Sequence, residues 1–287
     1  MRRRVFLAAL GSAAAWPMVA RGQQPGKVYR IGFLANDPTI PKQPAGKAFL
    51  DGLGESGFVE GTNVVIQRRF AEGKLKRYPD LASELTNLGV DVIVSSSNEA
   101  TVAVKRATNT IPVVMLNVED PMGQGIITSL SHPGGNITGV ILDESPEIIT
   151  KRLQLLKDAV PQVAQVAVLM NPDLPYTHAD WPQLQRAAQV LKLVVRPVTA
   201  RQANEFETAF AGLERDRPDV LFVTSSGLNF SNRKLIMELA LKSRLPAVTA
   251  AREATEAGGL LSYSSNRVDR YRLAAIYVGK SQMLGAG

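Results

Sequence analysis

Residues 111–116, IPVVML, form a six-residue run without a polar side chain, and the chain turns polar immediately after it. A short apolar run rich in β-branched residues fits a strand covered on both faces, as in the middle of a parallel sheet. In open α/β sheets, ligands bind outside the carboxyl ends of such strands, so Asn117, Glu119 and Asp120 mark the first place to look for a ligand. Pro121 suits the first turn of a helix, which predicts a crossover helix over 121–131. Pro133-Gly134-Gly135-Asn136 then predicts a tight turn into a strand over 137–142.

The same alternation runs along the whole chain. Strands are expected at 28–34, 64–70 and 90–94, with helices at 45–56, 78–88 and 99–107. Beyond Asp143 the pattern restarts, with helices at 147–160, 181–192, 204–215 and 232–243 and strands at 165–170, 193–198, 219–223, 247–250 and 259–263. A final helix is expected at 266–279. Strand-helix repeats of this kind specify doubly wound parallel sheets. At 287 residues the chain exceeds the usual size of one core. The expected fold class is therefore α/β, with two doubly wound parallel-sheet lobes joined by a hinge near Asp143 and a cleft between them. Hydrophobic residues make up 45% and charged residues 21%, which excludes a disordered chain, and no internal stretch is long and apolar enough to span a bilayer.

The first residues read as export chemistry. Arg2-Arg3-Arg4 precedes an apolar, Ala-rich run over 5–15, and the small residues Ala20 and Gly22 flank Arg21 before Gln23. That order predicts a signal over 1–22 with cleavage near Gly22, and Arg3-Arg4-Val5-Phe6-Leu7 fits a twin-arginine pattern. The chain has no Cys, so a lipid-anchoring lipobox, disulfides and thiolate metal sites are excluded and a free periplasmic protein is expected. The formal charge of +7 falls by four, to +3, when Arg2, Arg3, Arg4 and Arg21 leave with the signal. That is too little for a nucleic-acid partner.

Several separated segments carry a family resemblance. TIPVVM, a following DP and SLSHPGGNITG lie in the opening stretch, together with EGTNVVIQRRFAEG (60–73), KRLQLLKDAVP (151–161), VAVLMNP (166–172) and REATEAGGLLSYS (252–264). In this order they resemble the ABC-transporter substrate-binding proteins of periplasmic-binding-protein type I fold, over about 28–279. The resemblance implies that the last helix returns to the first lobe through a second hinge near 264–267. The lobes are then 28–143 with 266–287, and 144–265. It also implies that relatives continue past this helix with a further strand and helix, so the chain looks C-terminally shortened and is expected to be marginally stable. Relatives commonly carry an aromatic at Thr249, a Phe at Ala254 and a small residue at Glu119, which implies a less aromatic pocket here.

Ligand-binding candidates cluster at the predicted strand ends. Ser95, Ser96 and Ser97 lie between a buried strand and a helix start, where free N–H groups and the helix dipole favour an anion such as a carboxylate. The same position also suits plain N-capping by Ser97 or Asn98. Asp120 can counter an ammonium or cap the helix expected after it, and Glu119 has no capping duty in the pattern. Asn36 and Asn117 end strands facing the same cleft, and either is also an ordinary turn asparagine. From the second lobe come Asn171, Ser225 and Arg252, whose planar fork suits a carboxylate or a salt bridge with Glu253 or Asp269. Tyr263, at the second hinge, is placed to stack on a ligand or to pack in the core.

His132 and His178 are the only histidines, and neither has the spacing of a metal or catalytic site. Ile31-Gly32-Phe33-Leu34-Ala35-Asn36 lacks the glycines of a nucleotide fingerprint. No catalytic residues, metal ligands or cofactors are therefore expected. The expected role is a monomeric periplasmic solute receptor that closes on a small polar molecule, by resemblance an amino acid or other small carboxylate, and hands it to an ABC permease. A ligand-sensing module for a membrane receptor is the alternative, and an exported enzyme would need a nucleophile-base pair that is not visible.

Overall fold

The computed structural model describes residues 27–142 and 145–284. Their ten strands form two separate five-stranded sheets, in which every pairing is parallel. The first sheet holds β1 (Tyr29–Ala35), β2 (Val64–Phe70), β3 (Val92–Ser95), β4 (Val113–Val118) and β5 (Ile137–Ile141), in the order β2-β1-β3-β4-β5. The second holds β6 (Gln165–Met170), β7 (Val194–Thr199), β8 (Val220–Val223), β9 (Ala247–Thr249) and β10 (Leu261–Ser262), in the order β10-β9-β8-β6-β7. Counted from its own first strand, each sheet reads 2-1-3-4-5, so one winding is repeated. In this order the crevice opens where the first and third strands diverge, here at the ends of β1 and β3 and of β6 and β8.

Helices cover both faces of each sheet, as the apolar patterning of the strands requires. β3 and β8 are buried at every position, whereas β2 and the edge strand β7 are partly exposed. Arg196 and Pro197 in β7 discourage edge-to-edge pairing. The first lobe carries α1 (Pro44–Glu55), α2 (Tyr78–Asn87) and α3 (Asn98–Ala107). The second carries α4 (Pro146–Ala159), α5 (Pro175–Val190), α6 (Phe206–Ala211), α7 (Gly227–Ser231), α8 (Arg233–Lys242) and α9 (Arg252–Glu256). The last helix, α10 (Arg267–Leu284), returns to the first lobe. Its Tyr271, Ala274, Ala275 and Val278 enter one core with Phe49 and Leu53 of α1 and Ile31 and Phe33 of β1. Gly52 permits this close approach, because a Cβ there would stand 2.8 Å from the Arg272 carbonyl oxygen.

Two sequence expectations need correction. Residues 121–131 form turns rather than a crossover helix. Asp120 adopts φ 38°, its Oδ1 accepts from the Gly123 N–H at 2.9 Å, and Gly125 lies at φ 63°. Two glycines cost about 1 kcal/mol each in a helix interior, which outweighs the favourable proline at the start. Ile126 and Ile127 are still buried against the α2–α3 side of the sheet. The helix expected over 204–215 is also broken, with α6 flanked by short 3-10 turns. The expected signal over 1–22 and the first crossing at Asp143 and Glu144 lie outside the described residues.

Each lobe fixes its third strand by the same device. Asp91 accepts from the Arg30 N–H at 2.7 Å, and Asp219 accepts from the Ala164 and Gln165 N–H groups at 2.8 Å each. The Gln165 and Ala164 bonds hold the Asp219 carboxyl below the usual carboxylate range. A depressed native pKa contributes stability above the unfolded pKa, and this is lost as pH falls through the native one. The stability difference between wild type and Asp219→Asn should therefore narrow as pH falls below about 4, where an unfolded aspartate protonates. Urea unfolding at several pH values checks this, and a constant difference would contradict it.

Candidate functional site

A cleft of about 720 Å³ separates the two lobes and is lined by residues of both. This lies within the range of roughly 300 to 1,000 Å³ usual for small-molecule sites. Its walls are equivalent parts of the two windings. After β3, Ser97 caps α3, its Oγ accepting from the Ala100 N–H at 3.1 Å, and after β8, Ser226 caps α7, its Oγ accepting from the Asn229 N–H at 3.0 Å. Ser96 and Ser225 stand one residue earlier on opposing walls.

The structure brings Asn36, Ser96, Ser97, Asn117, Glu119, Ser225, Arg252 and Tyr263 to this cleft. Three other candidates lie elsewhere. Ser95 is fully buried beneath the wall, with its hydroxyl 2.7 Å from that of Thr101. Strand alternation points it away from the side that Ser96 occupies. Asp120 is exposed in its turn and caps no helix. Asn171 is buried at the end of β6, where its Oδ1 accepts from the Asp173 N–H.

Most of the residues on the wall are already engaged with protein groups. Asn36 bridges the lobes, its Nδ2 donating to the Gly227 carbonyl at 3.0 Å and to Ser231 Oγ at 2.7 Å while its Oδ1 accepts from the Gly73 N–H. Asn117 adopts φ 55°, and the β4–β5 register shifts between Leu116 and Val118. That break leaves its side chain between Arg270 Nε, at 2.8 Å, and Ser96 Oγ, at 3.4 Å. Glu119 is 5% exposed, and its main chain is clamped on both sides by the Asn98 amide. Arg252 is a rim residue with 86% of its side chain exposed. Its partner is Glu256, one helical turn on, rather than Glu253 or Asp269. Tyr263 is 40% exposed, and its carbonyl accepts from Arg152 Nε at 2.6 Å.

Sequence reasoning missed several residues that line the cleft. Arg267, Arg270 and Tyr271 project from one face of α10, a spacing of three and four residues that signals a shared side. Arg267 donates to Gln43 Oε1 at 2.8 Å, to Glu253 Oε1 of the other lobe at 3.1 Å and to Tyr271 OH at 3.2 Å. Its guanidinium also lies between the rings of Phe230 and Tyr271, 4.3 and 4.9 Å from their centroids. Burial works against its charge, but Tyr271 and Glu253 outweigh burial and raise its pKa overall, so it stays a cation. Asp37 of the first lobe and Arg233 of the second face each other at 3.8 Å. The lobes are thus joined directly by Asn36, by Arg267 with Glu253, and by Asp37 with Arg233.

Tyr271 is fully buried, and its hydroxyl also lies 2.9 Å from Ser96 Oγ. Tyr271→Phe removes one partner of Ser96 Oγ and the acceptor of one Arg267 N–H, so it should cost about 1 to 2 kcal/mol of stability. Thermal unfolding checks this, and an unchanged melting temperature would show that water replaces the hydroxyl.

The chain matches the family described as ABC transporter substrate binding protein over residues 38–280. It belongs to that family. Its two lobes are those of the type I periplasmic-binding-protein fold. A tyrosine-binding protein of Clostridioides difficile (strain R20291) is 26% identical over 230 residues; these are 80% of this chain, which spans 65% of that relative's length. A conserved domain protein from Vibrio cholerae superposes with a TM-score of 0.82 at 24% identity, covering 91% of this chain and 86% of that one. A Streptococcus pneumonia ABC domain in complex with L-Trp superposes with 0.81 at 23% identity and the same coverage. The matched family is one of substrate-binding proteins rather than enzymes, and a cleft built from strand ends of two lobes suits that role.

Proposed function

We propose that this chain is an exported solute receptor that captures an amino acid or related small carboxylate between its lobes for an ABC importer. In this reading residues 1–22 are the export signal. Residues 28–143 with 266–287 form one lobe, 144–265 form the other, and the two crossings near 143 and 264–267 serve as the hinge. The observation that carries the proposal is the cleft itself, walled by equivalent strand ends of both sheets and holding cations and carboxylates side by side. Groups of both signs suit a small molecule that carries a carboxylate and an ammonium. The named relatives, one a tyrosine-binding protein and one in complex with L-Trp, support an amino acid.

Contacts from both lobes give the ligand a means of favouring closure, since a ligand shifts an equilibrium only through its differential affinity for the two states. Native mass spectrometry of the protein purified from its exported fraction tests the proposal. The expected result is one retained small carboxylate per chain, released on denaturation. Turnover of that compound, or recovery of the mature chain only in the cytoplasm, would overturn it.

A further inference from the structure

Four arginines line the cleft, and they differ in what their guanidinium groups already do. Both terminal nitrogens of Arg267 are taken by Gln43, Glu253 and Tyr271. Arg270 is engaged by Asn117 and Ser265. Arg252 stands on the rim in water and pairs with Glu256. Arg233, the first residue of α8, is different. Its side chain is only 16% exposed, Nη1 donates to the Phe230 carbonyl at 2.9 Å, and the Phe230 ring covers one face of the guanidinium at 4.6 Å. Among the described residues no protein group takes its Nε or Nη2, and neither nitrogen is sealed away from the cleft.

Those two nitrogens form one edge of the guanidinium, with parallel N–H vectors spaced to meet the two oxygens of a carboxylate. The neighbouring carboxylate does not use that edge. Asp37 already accepts from the Thr39 N–H at 2.8 Å, the Thr39 hydroxyl at 2.6 Å and Gln43 Nε2 at 3.0 Å, and it reaches Arg233 only at 3.8 Å, on the Nη1 side. A shielded cation with a long ion pair and a vacant bidentate edge gains more from an incoming carboxylate than one in water, because the local dielectric is lower. We propose that Arg233, rather than Arg252, is the second-lobe residue that binds the ligand carboxylate, side-on through Nε and Nη2. This rests on the reading of the cleft as a carboxylate site. It places the carboxylate at the seam beside Asp37 of the first lobe, so that binding and closure are coupled.

Calorimetry with the standard L-amino acids and simple aromatic carboxylates, followed by the primary amide of whichever binds best, tests the assignment. Wild-type protein should prefer the acid over the amide by tenfold or more. Arg233→Ala should lower affinity for the acid at least tenfold more than affinity for the amide, and so erase the preference. Arg233→Lys, which keeps the charge but not the fork, should fall between, and Arg252→Ala should keep the preference. A preference that survives Arg233→Ala, or disappears in Arg252→Ala, overturns the proposal. A parallel loss of acid and amide binding in Arg233→Ala also overturns it, by showing a structural role. Failure of every amino acid and of simple aromatic carboxylates to bind wild-type protein removes both this assignment and the reading on which it rests.

Discussion

Arg267→Ala should weaken ligand binding about tenfold to thirtyfold while both lobes stay folded. The guanidinium joins the lobes through Glu253 and Phe230, and it ties α10 to Gln43 and Tyr271 within the first lobe. Truncating one member of a largely buried, hydrogen-bonded charge pair costs roughly 2 to 5 kcal/mol. Glu253 is 28% exposed, which places this pair at the low end. A loss of about 2 kcal/mol from the closed form alone is close to thirtyfold in affinity when the free protein is mostly open, because the apparent dissociation constant scales inversely with the closed fraction. The effect shrinks as the free protein becomes more closed, which sets the lower end of the range. Each lobe keeps two hydrophobic clusters, one on either side of its sheet, so the melting temperature should fall much less than the affinity. Calorimetry with parallel thermal unfolding checks this, and unchanged affinity would make Arg267 a packing residue only.

Gly139→Ala should remove a large part of the chain's stability. Gly139 lies within β5 at φ 145°, and a Cβ there would stand 2.0 Å from the Met115 carbonyl oxygen and 2.7 Å from the Met115 nitrogen. Both obstacles are backbone atoms of β4, so no side chain can rotate away. Relief requires parting the β4–β5 ladder, which also carries the register shift that sets Asn117. Overpacking alone costs about 1 to 3 kcal/mol. The disfavoured backbone conformation adds more than about 0.4 to 1 kcal/mol, against a total stability of about 5 to 15 kcal/mol. Expression of soluble protein and its unfolding midpoint are the readouts. A variant as stable as wild type would show that β5 is held less firmly than its pairing implies.

The sheets were legible because their signal is local. β2 and β6 have the bounds read from sequence, since alternation in one and a sealed apolar run in the other leave little choice. Residues 121–131 carry a proline suited to a first helical turn, but Gly123 and Gly125 tip the segment into turns. The short helix α7 was not foreseen, since five residues carry no usable periodicity. In the cleft, Ser96, Ser97, Asn117 and Glu119 were accessible to reasoning because strand ends are set by topology. Arg233, Arg267, Arg270 and Tyr271 belong to helices, and which face of a helix meets the cleft depends on how the lobes pack. Arg252 illustrates the difference: it follows β9 as a strand-end residue should, yet its side chain reaches solvent, while Arg233, one helix earlier, turns inward.

The claim that the lobes close on a small carboxylate is tested most directly by thermal unfolding of the chain with each standard L-amino acid and with simple aromatic carboxylates. Ligand at a hundred times its dissociation constant stabilises the native state by about 2.7 kcal/mol, which for a chain of this size is a rise of roughly 5 °C or more. At least one of these compounds should produce such a saturable shift, and its amide should not. If none of them moves the transition, or if amides and acids move it equally, the cleft is not a carboxylate receptor.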